Sequence, residues 1–397
     1  MHILYLHQYF CPPGGRGNNR SFELARAWVE AGHAVTFVTS AAYYPAEMQR
    51  ELPFWEEEVE GMRLLVVNVP YAHGMGFRQR VRAWLNFYRR AMPVGRRLDG
   101  VDLIYASSTP LTVGELGRRL SRKLRVPYIY ECVDVWPDVP IGMGVVRNPL
   151  LIRWLHARTQ RIYRDAAEIV TLSEGMAEQI LAHPVPKTKV HVLHNGCNLD
   201  AFPFQVREAG PVLKVIYTGT VGLANGVDAL VRVAAMLRDC GRNDLQFMIL
   251  GGGNDLDRVK ALAKAAHLEN LTFLAPVPKE EVAGILNEAD IGIVTFAPHP
   301  VLEANSANKF YDYLASGLPV VLNYQGWQAE YLRNWACGLA APMGDDEALL
   351  NNILRLADDP ALRSSMGRNG RKLVEAKFDR KEIALRLLKR FAQVLAQ

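Results

Sequence analysis

Lys309 and Asp312 stand three residues apart in the stretch EANSANKFYDYLASGLPVVL, residues 303–322. The pattern reads as loop, helix, stop and strand. Ser306 is of the type that caps a helix, its hydroxyl accepting from a first-turn N–H. Phe310, Tyr311 and Leu314 give the helix an apolar side. Gly317 and Pro319 end it, and Val320–Leu322 reads as a short buried strand. Lys309 conflicts with this pattern, because a helix dipole disfavours a cation in the first turn. An anion bound there removes the conflict, since free N–H groups and the ammonium both face it. Asp312 lies one turn on, a rise of roughly 4.5 Å, on the same face. That step suits a diphosphate followed by a ribose, whose hydroxyls a carboxylate can accept. A solvent-exposed Lys–Asp pair accounts for the spacing equally well.

Other residues point to the same chemistry. GTVGLANG follows the predicted strand Val215–Thr218, and Gly219, Gly222 and Gly226 allow amides to face a phosphate ahead of a helix. A tight strand–helix turn is the ordinary alternative. Near the start, CPPGGRGNNR brings Gly14, Gly15 and Gly17 to a strand–helix junction. It fails as a dinucleotide fingerprint. Arg20 stands where the third glycine is needed, and no acid closes the second strand. Glu131, Asp134 and Asp138 follow a strand of the first half. Asp134 is the leading candidate there for the reaction centre, Asp138 reads as a capping or buried carboxylate, and His194 as structural.

These residues need elements to position them. Strands are predicted at Ile3–Tyr9, Ala34–Thr39, Leu64–Val69, Asp102–Ala106, Tyr128–Glu131, Ile169–Leu172 and Val190–Leu193, with helical patterns between most of them. The Gly-, Pro- and Asn-rich run HNGCNLDAFPFQVREAGP, residues 194–211, breaks the alternation. It restarts with strands at Val215–Thr218, Phe247–Leu250, Leu271–Leu274 and Ile291–Thr295, and the chain after Gly338 reads as helical. This predicts an α/β protein of two doubly wound, Rossmann-like domains, residues 1–200 and 201–375, facing across a cleft. A C-terminal helix, 376–397, is expected to cross back to the first domain.

Composition excludes several classes. The chain has 397 residues and a net charge of +5. Residues 1–200 carry 24 Lys+Arg against 19 Asp+Glu, whereas residues 201–397 carry 22 of each, so the whole excess lies in the first half. The five cysteines form no CxxC pair, which argues against a zinc or disulfide framework and fits a reducing cytoplasm. No signal peptide or spanning segment is apparent. Phe77, Val81, Trp84, Leu85, Tyr88 and Met92 form one apolar helical stripe among Arg78, Arg80, Arg82, Arg89 and Arg90. Trp84 and Phe87 read as exposed. The stripe fits either packing on its own domain or contact with an anionic lipid surface. No nucleic-acid motif accompanies the charge.

The chain resembles the bacterial family 4 retaining glycosyltransferases of the GT-B fold, nearest the branch that builds O-antigen, capsule and exopolysaccharide. The resemblance runs through YFCPPGGRGNNRSFELARAW, RVPYIYECVDVWPD, VTLSEGM, VLHNGCNLD, YTGTVGLANGVDAL, LGGGND and NKFYDYLASGLPVV. It implies a nucleotide-sugar donor, expected to carry UDP, held mainly by the second domain. Asp312 matches the family's ribose-binding acid. Asn305, Ser306, Ala307 and Asn308 match a loop that meets the diphosphate and sugar. Val277 matches a position whose backbone reads the base, and Gly14 and Gly15 match a loop that closes over the diphosphate. Three places depart. Thr220 and Asn225 stand where many members carry Arg and Lys, which leaves Lys309 to supply the cation. Ala304 stands at the first acid of the usual pair, beside Glu303. Val133, beside Asp134, replaces the first-domain histidine.

The expected protein is therefore a retaining hexosyltransferase of the bacterial cytoplasm, peripheral at the membrane, with Lys309 and Asp134 in the reaction centre. Amides of Gly219 and Thr220 would join Lys309 at the leaving diphosphate, with no metal or other cofactor. Its partners would be the donor, a lipid-linked glycan acceptor and an anionic membrane, not nucleic acid. A sugar-nucleotide epimerase on the same plan and a non-catalytic nucleotide-sugar-binding protein are the rival readings.

Overall fold

The computed structural model describes residues 1–15, 17, 19–71, 75–205 and 210–397, without the side chains of Ala46 and Phe77. Phe77 of the expected stripe and residues 206–209 of the expected boundary thus lie outside the described residues. The chain divides into two compact units, Met1–His194 with Arg380–Gln397, and Asn195–Asp379.

The first unit alternates as its sequence pattern dictates. Its order is β1 (His2–Leu6), α1 (Arg20–Glu30), β2 (Ala34–Ser40), β3 (Phe54–Val59), β4 (Met62–Val67), α2 (Phe77–Gly95), β5 (Leu103–Ser107) and α3 (Leu111–Leu124). Then come β6 (Tyr128–Cys132), α4 (Asp138–Gly142), α5 (Pro149–Asp165), β7 (Glu168–Thr171), α6 (Glu174–Leu181) and β8 (Val190–Val192). The strands form one sheet in the order β3-β4-β2-β1-β5-β6-β7-β8. It is parallel except for β3 on β4. Ile3, Tyr5, Phe37 and Tyr105 are fully buried on it. The order reverses between β1 and β5, so the loops after β1, β5 and β6 gather at the carboxyl ends where such sheets take ligands.

The second unit comprises β9 (Leu213–Thr218), α7 (Asp228–Asp239), β10 (Leu245–Leu250), α8 (Leu256–Ala265), β11 (Leu271–Leu274), α9 (Lys279–Leu286) and β12 (Ile291–Val294). It continues through α10 (Asn308–Ala315), β13 (Val320–Leu322), α11 (Trp327–Trp335), β14 (Gly338–Ala340), α12 (Asp346–Asp358) and α13 (Pro360–Lys377). Its parallel sheet runs β11-β10-β9-β12-β13-β14, reversing between β9 and β12. α14 (Arg380–Leu395) then belongs to the first unit. Trp28 Nε1 donates to Ala384 O at 3.0 Å, Phe391 packs edge-on to Trp28, and Arg380 pairs with Glu23.

The sequence reading missed β3 and β14. In β3, FWEEEV alternates but offers three glutamates, so it scores as loop; it is held as an edge strand whose glutamates face outward or meet Arg63 and Arg50.

Glu131, a candidate by position, is structural. It is buried within β6, accepting from Arg20 at 2.8 Å and from Ser107 Oγ at 2.6 Å. Burial would raise its carboxyl, but Arg20 and its hydrogen bonds outweigh that and hold it below the usual carboxylate range. Arg20 also donates to His194 O at 3.2 Å, tying α1 to the end of the unit. Glu131→Gln should leave the Arg20 charge buried without its partner. We expect a loss of about 3–5 kcal/mol from the first unit, read as an earlier urea transition by near-ultraviolet circular dichroism.

Candidate functional site

The site of the second unit is built at the reversal between β9 and β12. The loop after β9 runs beside the loop after β10. Gly219 N–H donates to Leu250 O at 2.8 Å, and Val221 N–H to Gly252 O at 2.9 Å. A Cβ on Gly251, at φ +150°, would stand 1.9 Å from Gly219 O, so only glycine permits this approach. Gly219 and Thr220 remain exposed at the tip.

α10 brings Lys309 beneath that tip. Tyr313, one turn on, accepts from Thr218 N–H at 2.7 Å and packs on Gly292 of β12, which fixes the helix against both strands. Lys309 Nζ donates to Tyr217 Oη at 3.1 Å and lies 4.3 Å from the Tyr217 ring centre. Tyr217 passes the contact on by donating to Thr220 O at 2.7 Å. A Cβ on Gly219 would come within 3.3 Å of Lys309 Cε and 3.6 Å of Nζ. Lys309 as a whole is 8% exposed. Burial pushes it down from lysine's ordinary 10.5 to about 7, with Asp312 opposing.

Asp312 is 3% exposed, so the solvent-exposed Lys–Asp pair is excluded. Its partner is Lys279 at the start of α9, not Lys309, and its Oδ1 is buried with no hydrogen-bond partner among the described residues. Lys279 escaped the sequence reading. The signal was there, a cation opening a helix, as at Lys309. Val277 is half-buried two residues before it.

Other expectations need correction. Ser306 does not cap α10. The N-cap is Ala307, without a side-chain bond, and Ser306 Oγ meets Tyr311 Oη at 2.7 Å. The first turn is thereby left open to an anion. The Gly219 amide is already taken by Leu250 O, so it cannot serve a diphosphate; among the described residues only Thr220 of that pair keeps an unbonded N–H. Asn305 and Ser306 are anchored through their carbonyls, by Trp327 Nε1 at 3.1 Å and Asn195 Nδ2 at 3.4 Å. Asn308 Oδ1 is buried without a partner among the described residues. Asn225 carbonyl accepts from Thr295 Oγ1 at 2.7 Å. Glu303, beside Ala304, accepts from Gln325 N–H at 3.3 Å.

In the first unit, Asp134 accepts from Thr109 Oγ1 at 2.7 Å, and burial pushes its carboxyl up against that bond. Gly14 is exposed at φ +75°. Gly15 is buried, its N–H in a turn to Pro12 O, and a Cβ there would meet Cys11 Sγ at 2.5 Å. Of the two, only Gly14 is open to solvent. Asp138 lies against His183 and His156, a grouping that no sequence spacing announced.

The stripe of α2 also packs differently from expectation. Phe87 is fully buried, with Ala83 and Ala91 on the same face. Val81, Trp84, Leu85 and Tyr88 instead line an apolar cavity of about 390 Å³, with Trp136 and with Leu151 and Trp154 of α5. Leu85 and Trp154 at its mouth are 43% and 54% exposed. Arg158 stacks on Trp154 at 5.2 Å and Arg119 on Tyr88 at 5.7 Å, so guanidinium groups border the apolar walls. Among the described residues no helix is long and apolar enough to cross a membrane.

Residues 17–196 match the model of the glycosyl transferase 4-like domain, and residues 200–373 that of glycosyl transferases group 1. The D-inositol 3-phosphate glycosyltransferase of Arthrobacter sp. strain FB24 is 31% identical over 302 residues, covering 70% of this chain and 67% of that protein. The amylovoran biosynthesis glycosyltransferase AmsK of Erwinia amylovora is 25% identical over 244 residues, 59% of this chain and 58% of its own length. Among solved structures, Anabaena Alr3699/HepE in complex with UDP-glucose superposes with a TM-score of 0.71 at 15% identity, covering 100% of this chain and 99% of that one.

The depressed Lys309 value has a measurable consequence in the free protein. Between about 7 and 10.5 the unfolded chain holds a proton that the folded chain has lost. Stability should therefore rise with pH across that window and carry the full penalty below it. Lys309→Met should flatten this part of the profile. Urea midpoints of both proteins at pH 7 and pH 9.5 check it.

Proposed function

The chain belongs to the glycosyltransferases, with two α/β units of the GT-B type, and on that premise we propose a retaining transfer of a sugar from a UDP-sugar to a lipid-linked glycan. The observation that carries the donor half is Lys309. A buried ammonium between an exposed Gly219–Thr220 tip and an uncapped helix start is matched by a diphosphate. Thr220 N–H and the amides of Asn308 and Lys309 at the start of α10 supply further donors; the Phe310 amide is taken by Ala307 O. Asp312, with an oxygen that accepts nothing among the described residues, takes the ribose hydroxyls, and Lys279 stays beside it to limit the cost of its charge.

In the transfer, the bond from the anomeric carbon to the diphosphate breaks as the acceptor hydroxyl bonds to the same face. The acceptor proton passes to a leaving phosphate oxygen. Lys309 stabilises the charge that grows on the diphosphate. Asp134, held by Thr109, orients the acceptor hydroxyl in the first unit. The apolar cavity beside α2 supports the acceptor class. A hydrocarbon chain matches its aromatic walls, and the surrounding arginines match a diphosphate linkage or anionic headgroups. A role in surface polysaccharide assembly follows from such an acceptor.

Lys309→Met and Asp312→Asn should each weaken UDP binding by about 1.5–3 kcal/mol, roughly tenfold to 150-fold, measured by calorimetry. Equal affinity in both folded variants would refute the donor site. For a donor of known configuration, proton NMR of the product should give the same anomeric configuration.

The acceptor reading is tested with Trp154→Asp. It should slow transfer to a polyprenyl-linked acceptor at least tenfold and leave a short-chain water-soluble analogue unaffected. Flotation with anionic vesicles should capture the protein at low salt and release it at high salt. No capture, with equal rates on both acceptors, would remove the lipid from the proposal.

A further inference from the structure

Asp138 opens α4, His156 lies in α5, and His183 follows α6. His183 Nε2 is 3.1 Å from Asp138 Oδ2, and His156 Nδ1 is 3.9 Å from Asp138 Oδ1. The two imidazole centres are 5.5 Å apart. One ligand atom from each residue lies within 4.8 Å of the others. Metal bonds of about 2.0–2.2 Å set tetrahedral neighbours roughly 3.3 Å apart, so small side-chain rotations bring all three onto one ion.

A simple Asp138–His183 hydrogen bond does not account for the third residue. His156 Nδ1 is buried, lies beyond hydrogen-bond distance of the carboxylate it faces, and has no partner among the described residues. A buried ring nitrogen without a partner is costly, and a cation between it and the carboxylate would satisfy it. Tyr163 meets the His183 ring edge-on, and Thr159 reaches Trp136 O at 3.4 Å, so the surrounding scaffold is packed.

We propose that Asp138, His156 and His183 bind one divalent transition-metal ion of the zinc class. Two imidazoles and one carboxylate favour zinc, cobalt or nickel over magnesium and calcium, which prefer all-oxygen sets. Three protein ligands leave a position for water. The ion joins three elements far apart in sequence and clamps the segment between β6 and α4, which carries Asp134. It acts as a structural tie within the first unit, and its existence does not depend on the sugar-transfer reading.

The test uses untagged, chelator-stripped protein. Zinc titration by calorimetry should give one equivalent per chain. Cobalt(II) should develop visible d–d bands, and zinc should raise the thermal midpoint. Magnesium at the same concentration should do neither. His156→Ala is the deciding variant, because His156 Nδ1 has no hydrogen-bond partner to lose among the described residues. It should melt like the stripped parent, bind zinc at least tenfold more weakly and lose the zinc-dependent rise. Asp138→Asn and His183→Ala should weaken zinc at least as much. No zinc uptake by the parent, or unchanged affinity and stoichiometry in His156→Ala, overturns the proposal.

Discussion

Holding an ammonium out of water costs several kcal/mol unless other groups share its charge. Around Lys309 a phenol oxygen and an aromatic face do part of that, and the remainder shows as the depressed proton affinity. The rest of the second unit follows from this constraint. Gly219 has no side chain, so the end of the Lys309 stem has room. Gly251 has none either, so the two loops lie close enough to keep the tip in place. Tyr313 locks α10 onto β9 and β12, which fixes the height of Lys309 beneath the tip. The strain is stored where an anionic ligand would relieve it, a common arrangement at binding sites.

The first unit uses the opposite solution for its buried charge. Arg20 and Glu131 face one another with further hydrogen bonds, and both charges are compensated in the resting protein. The contrast separates the two kinds of buried ion without reference to any relative. A satisfied pair holds elements together, whereas a partly satisfied cation beside exposed backbone is one that a bound anion would stabilise.

Much of this was legible in the sequence, because strand–helix alternation and glycine-rich turns report directly on a parallel sheet. The helix bearing Lys309 and Asp312 was readable from its stop signal and from the misfit of a cation in its first turn. What escaped depended on partners distant in sequence. Whether the Gly219 amide was available turned on Leu250, and the partner of Asp312 turned on Lys279. Phe87 was misjudged because α2 has apolar residues on two faces. Periodicity alone does not say which face meets the sheet and which lines a cavity. The grouping of Asp138, His156 and His183 spans three elements and follows no local spacing, so only the fold could assemble it.

The position of α14 carries a further implication for how the molecule comes to exist. The second unit is a continuous segment inserted into the first, and the first recovers its last helix only after that insertion has been made. On the ribosome, Trp28 and Tyr105 emerge hundreds of residues ahead of Phe391, which packs against both. The inserted unit can fold as soon as it clears the exit tunnel, while the first must wait with part of its aromatic core uncovered. The first segment synthesised therefore cannot be completed before the last helix arrives, and its uncovered aromatic surface carries the aggregation hazard in the interval.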